Sequence, residues 1–114
     1  MSARSHITTH VLDAVTGRPA ALIGVVLEHH IHGSWREIAT ARTDADGRVS
    51  DLGPEAVPAG RYRITFDTGT YFAARSQATF YPHVTIVFEL DDESAHYHVP
   101  LLLSPYAYST YRGS

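Results

Sequence analysis

The side chains able to do chemistry in this 114-residue chain gather at a few places. His10 sits in Ile7-Thr8-Thr9-His10-Val11-Leu12, and His98 sits in Tyr97-His98-Val99-Pro100-Leu101-Leu102-Leu103. Imidazole titrates near neutral pH, so two of them beside one substrate suit general acid–base work. Arg48 follows the tight turn Asp44-Ala45-Asp46-Gly47. Its paired N–H donors can anchor an anionic or carbonyl-rich ligand. Tyr111, Arg112 and Ser114 close the chain. A tyrosine can stack on a planar heterocycle and donate a hydrogen bond, and the Ser114 carboxylate can orient an imidazole or an attacking water. Each group also has a plainer alternative: surface histidines beside exposed aliphatics, a solvated turn arginine and a frayed tail.

Other constellations carry less. His96-x-His98 and His29-His30-x-His32 resemble metal ligands by type, but two His seldom suffice, and no carboxylate stands at a telling offset. No metal is expected, and His29, His30 and His32 are expected to decorate a strand end. No Ser–His–Asp order, glycine-rich phosphate loop or paired-carboxylate motif stands out. Asp91-Asp92-Glu93 is expected to be a solvated turn.

The elements that must position these groups are strands. Period-two alternation dominates, with turn residues between the runs. Ile7, Thr9 and Val11 share one face of a first strand, with Thr8, His10 and Leu12 on the other. A turn over 13–19 leads to a strand with Ile23, Val25, Leu27 and Ile31 on one face. Further strands are expected over 35–42, from Arg48 through Leu52, and over 61–67, with a loop over 53–60 between the last two. The stretch 70–77 alternates little and is expected to form a short helix. Val84, Ile86, Phe88 and Leu90 line the next strand. Tyr97, Val99, Leu101 and Leu103 then oppose His96, His98, Pro100 and Leu102, and Ser104-Pro105 turns the chain into a last strand over 106–111. About eight short strands and at most one helix make the pattern of an all-β sandwich.

If the apolar rows fill the core, His10 and His98 both point outward, beside Leu12, Pro100 and Leu102. A face mixing His with apolar residues looks like an interface or pocket, roofed by another subunit. The short turn before the last strand favours antiparallel pairing beside the His98 strand, which brings Tyr111, Arg112 and Ser114 toward that face.

Composition limits the remaining classes. Apolar residues make up 44%, enough for one core, so residues 1–114 are expected to be a single domain. The net charge of −3 supplies no basic field for nucleic acid or membrane. All nine cations are Arg, which fits genome composition better than a special binding role. With no Cys there is no disulfide framework, thiolate nucleophile or Cys-ligated zinc. The N-terminus lacks an apolar signal core, no membrane span is long enough, and no peroxisomal tripeptide ends the chain. A soluble cytoplasmic protein is expected.

Motifs in order along the chain resemble one family. They are Thr9-His10-Val11-Leu12-Asp13 with Thr16-Gly17-Arg18-Pro19, Thr43-x-x-Asp46-Gly47-Arg48, Phe80-Tyr81-Pro82, His96-Tyr97-His98-Val99-Pro100-Leu101-Leu102-Leu103-Ser104-Pro105 and Tyr111-Arg112-Gly113-Ser114. Together they resemble the transthyretin-related 5-hydroxyisourate hydrolases over essentially the whole chain, with no departure at a motif position. The resemblance implies a transthyretin-like (prealbumin-like) β-sandwich of two four-stranded sheets with one short helix. It implies a homotetramer, a dimer of dimers with sites at the dimer–dimer interface. The implied reaction is hydrolysis of 5-hydroxyisourate, the product of urate oxidation, to 2-oxo-4-hydroxy-4-carboxy-5-ureidoimidazoline, with no metal or organic cofactor. The family's catalytic residues fall on His10, Arg48 and His98, and its terminal tetrapeptide, expected to bind substrate through Tyr111, Arg112 and Ser114, falls on 111–114. Two other classes stay open: a non-catalytic small-ligand carrier of the transthyretin type, and a prealbumin-like accessory module. Carriers of this fold lack the two His, the Arg and the Tyr-Arg-Gly-Ser end.

Overall fold

Sequence alternation becomes two packed sheets in the computed structural model, which describes residues 4–114. Residues 1–3, which open the expected leaderless N-terminus and the expected 1–114 domain, lie outside the described residues. The elements in chain order are β1 (Ile7–Asp13), β2 (Arg18–Pro19), β3 (Gly24–Ile31), β4 (Ser34–Arg42), β5 (Arg48–Val49), β6 (Gly60–Phe66), α1 (Thr68–Ala73), β7 (Val84–Leu90), β8 (Tyr97–Ser104) and β9 (Ala107–Thr110). One sheet has the order β4-β3-β6-β7. The other runs β2-β1-β8-β9, and the two-residue β5 joins β1 as a fifth strand.

The inward rows of the two sheets make one core. Ile7, Val11 and Leu101 meet Leu27, Ile64 and Phe66, all at most 1% exposed. Each such side chain contributes roughly 1.5–3 kcal/mol through burial. The pairing that matters most for function is β1 with β8. It is parallel, so the two strands cannot be joined by a hairpin, and the whole second sheet lies between them in sequence. Thr8 and His98 thereby become neighbours although 90 residues apart.

Three expectations shift for local physical reasons. The helix spans Thr68–Ala73 rather than 70–77, because the Asp67 carboxylate accepts from the Thr70 N–H and starts the helix early. It buries Tyr71 and Phe72, and the Tyr71 hydroxyl donates to the Asp13 carboxylate at 2.8 Å. Burial, then that carboxylate, pushes the Tyr71 hydroxyl up to about 12. The strand expected from Arg48 through Leu52 is only Arg48–Val49. His29 does not decorate a strand end with His30 and His32: it is 8% exposed and stacks on Tyr62 at 4.2 Å. Its position follows the inward row of Val25 and Leu27, so alternation carries it into the core.

Candidate active site

The middle strand β1 organises the outward face. Parallel register sets Thr8 opposite His98, His10 opposite Pro100 and Leu12 opposite Leu102. On the other edge of β1, antiparallel register sets Arg48 of β5 opposite His10. Residues opposite one another in a ladder project to the same side of the sheet. His10 therefore stands between Arg48 and Pro100, with His98 diagonal to it on the next strand.

The turn before β5 delivers the guanidinium. The Asp44 carboxylate accepts from the N–H groups of Asp46 and Arg48, at 2.9 and 3.0 Å. Gly47 has φ +73°, and its carbonyl accepts from the Val11 N–H at 2.7 Å. A Cβ at Gly47 would lie 2.5 Å from the Val11 carbonyl oxygen, so only glycine lets the turn approach β1 this closely. The Arg48 side chain is left exposed and, among the described residues, makes no ion pair.

The His98 ring is held on two sides. Its Nδ1 lies 2.8 Å from the Thr8 hydroxyl, which also lies 2.9 Å from Nε2 of His96. On the other side, Gly113 donates its N–H to the His98 carbonyl at 2.8 Å. A Cβ on Gly113 would come within 2.6 Å of His98 Cδ2 and 3.2 Å of Pro100 Cγ.

Burial and nearby charge both lower the proton affinity of the two imidazoles. Burial lowers the affinity of His10 for a proton, and the Arg48 guanidinium adds to it, partly offset by Asp44 and Asp46. Burial likewise lowers that of His98, followed by Arg48, His10, His96 and Arg4. A neutral imidazole beside a fixed cation can take a proton from water while the cation holds a carbonyl oxygen. Among the described residues no three or more His, Cys, Asp or Glu cluster as metal ligands.

The expected site residues do not all converge within one chain. His10, Arg48 and His98 share the outward face. The β8–β9 register continues past the end of β9, from Leu101 with Thr110 to His98 with Gly113. That continuation sets Tyr111 opposite Pro100, on the His98 side, and Arg112 opposite inward-facing Val99. Pro100 has no N–H for this rung and its carbonyl takes the Thr110 hydroxyl at 2.7 Å, which ends β9 short of residue 111. The Arg112 guanidinium lies 4.3 Å over the ring of buried Tyr97, away from His10 and Arg48. Ser114 is exposed. Thr8 escaped sequence reasoning as a holder of His98 because alternation reveals faces but not that β1 pairs with β8, and Gly113 escaped because its register with His98 lies beyond the end of β9.

The face itself is open in one chain. A cleft of about 820 Å³ lies on the other sheet, between Arg42, Arg63 and His83, far from this chemistry. A second of about 380 Å³ opens at the sandwich edge and brings His98, Tyr111 and Arg112 together beside Phe88 and Val99. Neither includes His10 or Arg48.

Residues 7–113 match the model of the HIUase/Transthyretin family. The chain belongs to this family. Family members of known structure include transthyretin from Sparus aurata, with a TM-score of 0.91 at 36% identity over 96% of this chain and 97% of that one. Another is a 5-hydroxyisourate hydrolase from Klebsiella pneumoniae, with a TM-score of 0.84 at 36% identity over 95% and 98%. Fold alone thus does not separate the two branches. In sequence, the 5-hydroxyisourate hydrolase of Salmonella dublin is 47% identical over 95% of this chain and 80% of its own length.

Proposed function

We propose that the chain hydrolyses 5-hydroxyisourate in urate degradation, with His10, Arg48 and His98 as its catalytic residues. The observation that carries this is the register of β1, which lines Arg48, His10 and His98 along one outward face, with the proton affinity of both imidazoles lowered. The hydrolase relatives agree in sequence over nearly the full chain. The substrate's six-membered ring opens by cleavage of a C–N bond next to a carbonyl. His98, alone or paired with His10, takes a proton from water as the water oxygen bonds to that carbonyl carbon. Arg48 holds the carbonyl oxygen as charge grows on it. The C–N bond then breaks, and the proton returns to the departing nitrogen. The charge of His10 further lowers the proton affinity of His98. Tyr111 and Ser114 complete the substrate site, while Arg112 stays over the Tyr97 ring and supports the terminal segment, and no metal or organic cofactor takes part.

The functional unit in this proposal is a homotetramer of one transthyretin-like domain, residues 1–114, with sites where dimers meet. Two observations favour it. The His10–Arg48 face is unroofed in one chain, and half-buried Leu12 and Leu102 flank it. Strands β7 and β9 are open edges, beside exposed Val87, Tyr106 and Tyr111. No described helix is long and apolar enough to cross a membrane, and a cytoplasmic location is part of the same proposal.

The test is spectroscopic decay of freshly generated 5-hydroxyisourate. The purified chain is expected to accelerate it well above the spontaneous rate. Because the fold matches transthyretin at least as well as the hydrolase, a carrier is the second possibility: ligand binding without turnover would favour it.

A further inference from the structure

Thr8 is 4% exposed, and its hydroxyl oxygen lies within hydrogen-bond reach of two imidazole nitrogens, 2.8 Å from His98 Nδ1 and 2.9 Å from His96 Nε2. A hydroxyl carries one proton. Among the described residues Thr8 Oγ1 has no other partner, so it donates to one ring and accepts from the other. Two arrangements satisfy this. In one, His98 Nδ1–H donates to Thr8, and Thr8 donates to His96 Nε2, which leaves His98 Nε2 with a free lone pair. In the other, His96 Nε2–H donates to Thr8, and Thr8 donates to His98 Nδ1, which puts the His98 proton on Nε2. Only the first leaves a base able to accept a proton from water at Nε2.

Building on the hydrolase activity above, we propose that Thr8 is a positioning residue that links His96 to His98 and fixes Nε2 of His98 as the nitrogen that handles the proton of the reaction. The geometry around the ring agrees. Thr8 occupies Nδ1 and Gly113 packs against Cδ2, so Nε2 and Cε1 are the ring positions left free by these two neighbours. The proton balance also closes. Nε2 gains the proton that water loses as the O–C bond forms, and gives it to the ring nitrogen as the C–N bond breaks. Nδ1–H stays on Thr8 throughout. His96 is the outer member, and it must be neutral to accept. Burial, then Arg4 and His6 nearby, favours that form.

The arrangement makes an unusual demand, because His98 must rest as the Nδ1–H tautomer. Imidazole ¹⁵N NMR at pH about 8, above the ordinary His value, reads this directly, with the signal assigned by its loss in His98→Asn. The wild-type chain is expected to show Nδ1–H at His98. Thr8→Val is expected to lose that preference and to lower kcat at least about tenfold with KM within about threefold, whereas Thr8→Ser keeps tautomer and rate. His96→Leu removes the acceptor, so Thr8 turns to His98 and the Nε2–H form dominates. This variant serves equally if Thr8→Val does not fold. An Nε2–H tautomer in the wild-type chain, or a Thr8→Val chain with unchanged tautomer and kcat, overturns the proposal. A wild-type chain that shows Nδ1–H yet never turns over 5-hydroxyisourate leaves the hydrogen-bond link intact and removes the hydrolase activity instead.

Discussion

Burial lowers the proton affinity of His10 and His98 below the ordinary His value, with Arg48 as the next cause. Their protonation falls below the ordinary value of 6.5, so the acid limb of kcat/KM is expected below that pH. Arg48→Gln removes one of the two main causes and is expected to move the limb upward, toward 6.5, while weakening turnover. A pH–rate series on both proteins measures it, and an unmoved limb would separate Arg48 from the imidazoles. Stability shifts in the same sense. The unfolded chain protonates these His first, so stability present above 6.5 declines as pH falls toward the lowered folded values. Gly113 makes the other residue-scale prediction. Its absent Cβ would meet His98 Cδ2 at 2.6 Å, so Gly113→Ala must displace the ring or the terminal segment. A misplacement of about 1 Å can cost about 10²-fold in rate, and kcat is expected to fall on that order with little change in melting temperature. An unaltered kcat would show that the terminal segment does not hold His98.

At the scale of elements, the site depends on short strands meeting β1 in one register. Gly47→Ala tests the β5 arm. With φ +73° and a Cβ 2.5 Å from the Val11 carbonyl, it is expected to destabilise the fold by about 1–3 kcal/mol, read by denaturant midpoint. Stability equal to wild type would mean that the turn can withdraw from β1 freely. The long strands were legible in the sequence, because alternation over Ile7 to Leu12 or Tyr97 to Leu103 follows directly from one buried face. The outward placement of His10 and His98 came from the same rule. The antiparallel pairing of β9 beside β8 was legible from the short turn between them, whereas pairing between distant strands was not. That β1 lies parallel to β8, which brings Thr8 to His96 and His98, depends on a crossover through the entire second sheet. Strands β2 and β5, two residues each, are too short to alternate. Arg112 was expected among the substrate-binding residues, yet continued register turns its guanidinium onto Tyr97 on the other side.

At the scale of the whole molecule, an open catalytic face and the open edges of β7 and β9 belong together. A single chain leaves Arg48 exposed and His10 and His98 only half-buried, so water still reaches the face and a preorganised cation and base lose much of their advantage. Another copy seated on that face would exclude water, and sedimentation is expected to find a tetramer. A monomer that is fully active would refute the shared site. The central claim, however, is that His98 handles the proton of the reaction. Stopped-flow decay of freshly generated 5-hydroxyisourate, with His98→Asn compared to wild type at equal oligomeric state, tests it most directly. A fall of about 10²–10⁴-fold is the expected result; a rate within about threefold of wild type would contradict the account.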